Sequence, residues 1–159
     1  TQLEPNISIE WHHIGDGPLR QAIEEQAKTA LPHSVKSIFH GHLDNKQIFE
    51  FYRQHPLDVF INVSRSEGLP VSIMEAQSCG IPVIAPAIGG IPEIVNDDNG
   101  ILLPANPDVQ SLAAAIQRFI RETDKRLTKR ENSKRTWQEK CSAERNYATF
   151  AQRLIEIFG

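Results

Sequence analysis

Residues 58–86 read DVFINVSRSEGLPVSIMEAQSCGIPVIAP, with apolar segments on either side of a polar loop and a helical stretch. Asp58 to Val63 is short and rich in β-branched residues, which predicts a buried parallel strand. Pro70 stands where a helix can begin, because its φ is fixed, and Gly80 stands where that helix can end. Ile81 to Ala85 predicts the next strand. The segment therefore predicts a strand–helix–strand unit with a right-handed crossover and two parallel strands.

Two glutamates flank the start of this predicted helix. Glu67 lies in the loop before the helix, and Glu75 lies inside it. The helix start presents free N–H groups at Leu69, Val71 and Ser72 together with the positive end of the helix dipole, which favours an anion there. Helical side chains lean toward the N-terminus, so Glu75 can reach the same place. This pattern is suited to a diphosphate held between two polyhydroxy rings, because carboxylates accept hydrogen bonds from hydroxyl groups.

Five short motifs extend over most of the chain. They read IGDGPLR at 14–20, FHGHL at 39–43, EGLPVSIMEAQSCGIPVIA at 67–85, GGIPEIV at 89–95 and NGILLP at 99–104. Together they resemble the retaining glycosyltransferases of group 1 (family 4), which have the GT-B fold of two Rossmann-like domains. The resemblance corresponds to the C-terminal, donor-binding domain of such an enzyme.

The resemblance and the alternation of strands and helices imply the same fold class. We expect an α/β domain with a Rossmann-like open parallel sheet and helices on both faces, one half of a GT-B fold. Residues 1–159 are expected to form this single nucleotide-sugar-binding domain, with 124–159 as closing helices. The N-terminal acceptor domain of the parent enzyme is expected to lie outside this chain.

The resemblance also assigns roles to residues of the matching motifs. It implies that Glu67 contacts hydroxyls of the transferred sugar as the catalytic residue, and that Glu75 holds the ribose hydroxyls. The backbone groups expected to bind the donor sugar and the diphosphate belong to Gly68, Leu69, Pro70 and Val71. The loop expected to lie beside the base comprises Gly41, His42 and Leu43.

The function that follows is transfer of a sugar. The chain is expected to be the donor-binding half of a glycosyltransferase of hexosyltransferase type in polysaccharide biosynthesis, moving a sugar from a nucleotide-diphosphate sugar to a glycan or lipid-linked acceptor. The alternative is a non-catalytic nucleotide-sugar-binding or interaction module, against which the intact glutamate pair argues. A sugar-nucleotide epimerase of the same overall fold fits the motifs at 80–83 and 89–95 less well.

The composition of the chain indicates which cofactors and macromolecular partners to expect. No cluster of carboxylates is placed to hold a metal ion, so we expect no metal and no cofactor besides the donor substrate. Asp97 and Asp98 suggest a solvated turn, and His12 and His13 point to opposite sides of a strand. The net charge of −3 argues against a nucleic-acid partner. Two cysteines make no disulfide framework, and a reducing cytoplasm is the expected compartment.

The beginning of the sequence departs from the family pattern. In the family the donor domain opens with a strand and a helix whose arginine and lysine grip the diphosphate, and these have no counterpart here. We therefore expect this chain alone to be inactive. The strands beginning at Ile7 and Asp58 would then pair directly, or a second copy would pair along the exposed edge.

The C-terminal part is expected to be helical. Residues 123–140 are basic with little apolar periodicity, which predicts a solvated helix, whereas Tyr147, Phe150 and Leu154 mark a closing amphipathic helix. A basic helix can bind an acidic membrane surface, but this stretch lacks the apolar face that interfacial helices need. The parent enzyme is expected in the cytoplasm or at the inner face of the membrane.

Overall fold

A computed structural model describes residues 7–158. Contacts between residues divide the chain into two compact units, of which the first ends at Phe51 and the second begins at Tyr52. The boundary falls inside a helix. The prediction of one domain over 1–159 stays a prediction.

The first unit is built on two parallel strands, each followed by a helix. Its elements are β1 (Ile9–Ile14), α1 (Arg20–Ala30), β2 (Val35–Gly41) and α2 (Asn45–Gln54), whose last turn belongs to the second unit. β1 and β2 pair in parallel, with His12 opposite Ile38. Helix α1 begins at Arg20, two residues after Pro18. The reason is a turn in which the Arg20 N–H donates to the Gly17 carbonyl before the helix begins.

The two adjacent histidines of β1 take part in different contacts. The ring of His12 stacks on that of His40, with Nδ1 and Nε2 2.9 Å apart. His13 instead contacts Trp11 and Phe39. Because neighbouring strand residues point to opposite faces, these contacts confirm that His12 and His13 face different sides of the sheet.

The second unit has a three-stranded parallel sheet in the order β3-β4-β5. Its elements are β3 (Phe60–Ile61), α3 (Val71–Ser78), β4 (Val83–Pro86), α4 (Ile91–Ile94), β5 (Gly100–Leu103), α5 (Val109–Arg121), α6 (Arg126–Lys140) and α7 (Ala143–Phe158). A 3₁₀ turn at Thr123–Lys125 leads into α6.

The central strand β4 is buried on both faces. Val83 and Ala85 lie in one apolar cluster with Ile73 of α3, and Ile84 lies in another with Phe119 of α5. The alternation of side chains along β4 explains why successive residues join different clusters. The predicted α/β class, with parallel strands in open sheets, is therefore confirmed.

The strand predicted over 58–63 is shorter than expected. β3 contains only Phe60 and Ile61, although the Asn62 N–H still donates to the Ile84 carbonyl. The chain leaves the sheet at this point because the Asn62 side chain accepts a hydrogen bond from the Ser64 N–H, which forms a turn. β1 and β3 belong to different sheets, so the expected direct pairing of the first strand with this one is wrong.

Helix α6 is docked rather than solvated, which corrects the prediction for 123–140. Its polar side chains donate to backbone carbonyls just before the strands. Arg130 Nη1 donates to the Leu57 carbonyl ahead of β3, at 2.7 Å, and Ser133 Oγ donates to the Ile81 carbonyl ahead of β4, at 2.8 Å. Ser133 is fully buried. Because these carbonyls precede the strands, α6 lies along the amino-terminal edge of the sheet.

Lys129 makes the corresponding contact at β5. Its ammonium group is buried and donates to the carbonyls of Asp97 and Gly100, with 2.9 Å to the latter. Glu122 lies 3.7 Å away. Burial lowers the pKa of Lys129, and the attraction of Glu122 opposes that effect. Burial also opposes ionisation of Glu122, but Arg118 and the nearby lysines hold its pKa below the usual value.

Helix α7 is amphipathic, as predicted, but its apolar side chains are exposed. Tyr147 and Phe150 have 74% and 62% of their surface accessible, and Phe158 has 82%. Among residues 7–158, no helix is both long enough and apolar enough to cross a membrane.

Candidate functional site

The loop between β3 and α3 carries the residues for which the sequence suggested chemistry. It follows the carboxyl end of a parallel strand, which is where ligands bind in open α/β sheets. Pro70 occupies the N-cap position with φ −67° and ψ 122°, and its side chain supplies no capping hydrogen bond. Met74 N–H makes the first intrahelical bond, to the Pro70 carbonyl. The start of α3 thus lacks a capping side chain from Pro70, which suits an anionic ligand.

The two glutamates lie on either side of this helix start in sequence. Glu67 is half-buried in the loop, and Glu75 is half-buried as the fifth residue of α3. Glu75 is therefore about 6 Å along the axis from the first helical residue. Its side chain leans back toward the N-terminus, as helical side chains do. Both glutamates are therefore partly exposed.

Tyr52 interacts electrostatically with Glu75 of this site. It lies in the part of α2 that belongs to the second unit. Burial, followed by the charges of Glu75 and Cys79, raises its pKa well above the usual value. Tyr52 is therefore a neutral phenol in the electrostatic environment of Glu75. No motif around residue 52 could have indicated this.

The backbone of the glutamate loop rests on the two glycines after β4. Gly90 N–H donates to the Gly68 carbonyl at 2.7 Å. A Cβ on Gly89 would lie 2.0 Å from the Glu67 carbonyl oxygen, and Gly89 has φ +51°. A Cβ on Gly90 would lie 3.1 Å from the Gly68 oxygen. Two consecutive glycines are a sequence signal of such close backbone approach.

The residues around the α3 start differ in exposure. Gly68, Leu69 and Val71 are exposed, whereas Pro70 is buried. Exposure of Leu69 and Val71, at 42% and 62%, leaves apolar surface beside the free amides. Three of the four residues predicted to bind a donor through their backbone are therefore exposed.

The loop predicted to lie beside a base belongs to the first unit. Gly41 ends β2 with φ +70° and is buried, and its carbonyl accepts a hydrogen bond from the Gly15 N–H. His42 is exposed and Leu43 is half-buried. These residues follow the carboxyl end of a parallel strand, as Glu67 does in the second unit.

The comparison with protein families identifies the chain. The family described as "Glycosyl transferases group 1" matches residues 3–136. The chain belongs to the group 1 glycosyltransferases. The matched range includes both glutamates and the two glycines after β4.

One curated relative of this glycosyltransferase chain is the sulfoquinovosyl transferase of Arabidopsis thaliana, which is 31% identical over 143 residues. The alignment covers 84% of this chain and 26% of that protein. The chain thus spans about a quarter of the length of this relative.

Solved structures show the same fold. The sucrose-phosphate synthase of Thermosynechococcus elongatus is similar with a TM-score of 0.71 and 25% identity, over 94% of this chain and 38% of that one. Anabaena HepE, solved in complex with UDP, has a TM-score of 0.73 and 23% identity, over 96% of this chain and 42% of that one. Both likenesses extend over both units.

Proposed function

We propose that this glycosyltransferase chain binds the donor of a retaining enzyme that transfers a sugar from a nucleotide-diphosphate sugar to a glycan or lipid-linked acceptor. The observation that carries the proposal is the start of α3, without a capping side chain and exposed, with Glu67 ahead of it and Glu75 behind it. Because the chain belongs to the group 1 glycosyltransferases, we expect residues of these types at this place to bind the donor. The nature of the donor sugar and of the acceptor is part of this proposal.

The proposed chemistry is electrostatic. The departing diphosphate gains negative charge during transfer, and N–H groups at the start of α3 stabilise that charge. Glu67 orients the transferred sugar through its hydroxyls, and Glu75 accepts hydrogen bonds from the ribose hydroxyls. The backbone of Gly68, Leu69, Pro70 and Val71 contacts the sugar and phosphate.

The proposal uses no metal ion. Within residues 7–158, no group of three or more His, Cys, Asp or Glu side chains is arranged to hold one. The helix amides take the role that a cation would otherwise have at the diphosphate. Donor binding is accordingly expected to be the same in EDTA as in magnesium.

The proposal also includes the cellular compartment of the enzyme. Cys79 and Cys141 are both free thiols, which suits a reducing cytoplasm. We place the full enzyme there, or at the inner face of the membrane, with an N-terminal acceptor domain and a role in polysaccharide biosynthesis.

The proposal is tested first by donor binding. Ligand-observed NMR with UDP-, GDP- and ADP-sugars is expected to show saturable binding of one nucleotide class to the protein. Absence of binding by all three classes, in protein shown to be folded by its circular dichroism, would contradict the proposal and favour an interaction module.

Glu75→Gln is expected to weaken binding of the free nucleoside diphosphate. One carboxylate–hydroxyl bond is worth about 1.5–3 kcal/mol, so the dissociation constant should rise by roughly ten- to a hundredfold. Titration calorimetry measures it, with Glu131→Gln, an exposed acid on α6, as the control. An unchanged dissociation constant in Glu75→Gln would refute the ribose assignment.

Glu67→Ala is expected to reduce sugar transfer while leaving nucleoside diphosphate affinity nearly intact. The reason is that Glu67 lies in the loop, away from the ribose contact at Glu75. Comparison of turnover with diphosphate affinity in the full-length enzyme separates the two roles. Equal losses in both quantities would show that the roles are assigned wrongly.

A further inference from the structure

The pairing of β1 with β2 is interrupted just before the loop expected to lie beside the base. His13 lies opposite Phe39, but Ile14 lies opposite Gly41. His40 is therefore an extra residue at the end of β2. A bulge of this kind disturbs the ladder of backbone hydrogen bonds and bends the strand. Because Gly41 follows with φ +70°, the direction of the chain into residues 41–43 depends on how His40 is held.

A hydrogen bond and aromatic contacts hold the side chain of His40. Nε2 of His40 lies 2.9 Å from Nδ1 of His12 on β1, and the two ring planes are 12° apart. The ring of Phe51 on α2 is in edge contact with both imidazoles, with centroid distances of 4.8 Å to His40 and 5.3 Å to His12. Only 10% of the His12 side chain is accessible. The two imidazoles are therefore packed as a pair, and a change in one ring affects the other.

Glu10 determines where the protons of this pair lie. Its Oε1 is 2.8 Å from His12 Nε2, and its Oε2 accepts from Lys36 Nζ at 2.8 Å. The hydrogen bonds from Lys36 and His12 hold the pKa of Glu10 below its usual value. A carboxylate only accepts hydrogen bonds, so His12 Nε2 carries a proton. In the neutral ring Nδ1 is then an acceptor, and it receives the Nε2 proton of His40.

This arrangement can take up one proton but not two. With one added proton, His12 is an imidazolium whose Nδ1 donates to Nε2 of His40, and the proton of His40 has moved to its other nitrogen. With two added protons, N–H groups would face each other across the 2.9 Å contact, and two adjacent rings would both be cationic. The hydrogen bond that holds His40 is then lost.

The other charges around the pair do not favour a second proton. Lys36 adds a positive charge beside Glu10, and the group of α2 that faces the pair is the apolar ring of Phe51. A Cβ on Gly41 would lie 2.8 Å from Nη1 of Arg20, so a guanidinium lies close to the end of β2. Among the remaining charged side chains of α2 and the start of α1, ion pairs join Lys46 to Glu50, and Arg20 to Asp16 and Glu24.

We propose that His12 is a positioning residue for the nucleotide. Through its hydrogen bond to His40 it fixes the bulge at the end of β2, and with it the path of residues 41–43 beside the base. It does so only while the pair holds no more than one added proton. This inference rests on the proposed function, because that function brings a nucleotide to the chain. Donor affinity should therefore fall as the pH drops through the second protonation of the pair.

The pH dependence of donor affinity tests this role. The probes are UDP-, GDP- and ADP-glucose, because a diphosphate bridged between two sugars gains no proton in this range, whereas a terminal phosphate does. Imidazoles ordinarily titrate near about pH 6.5. The dissociation constant, measured by titration calorimetry, should rise roughly tenfold between about pH 8 and about pH 5.5. An unchanged dissociation constant over this range would overturn the inference.

Two substitutions at His12 separate its position from its charge. His12→Asn places an amide oxygen near the position of Nδ1 but does not titrate, so it should keep the affinity at about pH 8 and abolish the fall at low pH. His12→Ala lacks the acceptor and should raise the dissociation constant roughly tenfold at about pH 8. His33→Asn, at an exposed histidine before β2, is the control and should behave like the unmodified protein.

Two outcomes of this comparison would overturn the inference. Equal pH dependence in His12→Asn and in the unmodified protein would show that another group, such as the exposed His42 of the same loop, is responsible. Unchanged affinity in His12→Ala at about pH 8 would show that His12 does not position the loop. Circular dichroism of each variant establishes that it is folded at the pH of the measurement.

Imidazole ¹⁵N chemical shifts measure the proton count without any ligand. At about pH 8, the Nε2 atoms of both His12 and His40 should carry the proton. As the pH falls, the pair should take up its second proton at a lower pH than the exposed His33 takes up its proton. If both rings became imidazolium at the same pH as His33, the inference would be overturned.

The ligand arm also separates this inference from the proposed function. Failure of all three nucleotide sugars to bind at about pH 8 contradicts the proposed function. Binding at about pH 8 that does not weaken at low pH contradicts the positioning role of His12 alone. Binding that weakens at low pH in the unmodified protein but not in His12→Asn supports both.

Discussion

Gly89→Ala is expected to reduce sugar transfer by on the order of a hundredfold, because a displacement of about 1 Å in a catalytic group can have that effect. The new Cβ would lie 2.0 Å from the Glu67 carbonyl oxygen and 2.8 Å from that of Gly68. Neither backbone oxygen can rotate away as a side chain would. The Glu67 loop must therefore move, and the φ of +51° at Gly89 adds strain for alanine.

The measurement compares turnover with thermal stability in the full-length enzyme. Gly17→Ala is the matched control, because a Cβ at Gly17 would meet nothing within 4 Å. The rate of sugar transfer should fall by a larger factor than the affinity for the free nucleoside diphosphate, because Gly89 lies against the backbone of Glu67. Normal turnover in Gly89→Ala would contradict the idea that these glycines position Glu67.

Lys129→Met is expected to lower the free energy of unfolding by about 1–3 kcal/mol, because the buried Gly100 carbonyl loses its donor. Methionine has a similar length but no N–H to donate. The hydrogen bond to Gly100 is buried and the one to Asp97 is partly buried, and Lys129 itself is only 3% exposed. Glu122 keeps its contacts to Arg118 and Lys125, which limits the effect.

Urea denaturation monitored by circular dichroism measures this change. Lys134→Met is the control, because Lys134 is exposed on the same helix. Nucleotide affinity of the folded protein should be unchanged in Lys129→Met, since α6 lies at the edge of the sheet opposite to the site. A change of less than about 0.5 kcal/mol, the usual size for a surface substitution, would show that Lys129 does not anchor α6.

The strand–helix–strand unit could be predicted from sequence because its signals are local. Pro70 and Gly80 delimit α3, and Gly80 has the positive φ of +69° expected at a helix end. Asp108 is a signal of the same kind, because aspartate is a preferred N-cap residue, and its side chain accepts a hydrogen bond from the Ser111 N–H at the start of α5. Each signal depends only on the conformation of a few neighbouring residues.

The docking of α6 could not be predicted in this way. Apolar periodicity identifies a buried helix face, but α6 is held by Lys129, Arg130 and Ser133 donating to distant carbonyls. A basic stretch on a helix is usually solvated, and nothing local distinguishes one that meets the ends of strands. The fit between α6 and the amino edge of the sheet is a property of the folded chain.

The candidate site was predictable only in part. Glu67 and Glu75 could be selected because a known family motif contains them, and their roles stay predictions. The support from Gly89 and Gly90 depends on an approach between two loops that are more than twenty residues apart in sequence. The electrostatic link between Tyr52 and Glu75 likewise arises from packing.

The most direct measurement is amide chemical-shift mapping of the protein with the nucleotide sugar that binds, compared with the free nucleoside diphosphate. The account predicts that the diphosphate shifts the amides of Leu69, Val71 and Ser72 at the start of α3, and that the nucleotide sugar additionally shifts those of Glu67 and Gly68. Glu75→Gln should weaken both responses. Saturable binding that leaves residues 67–72 unchanged would contradict the account.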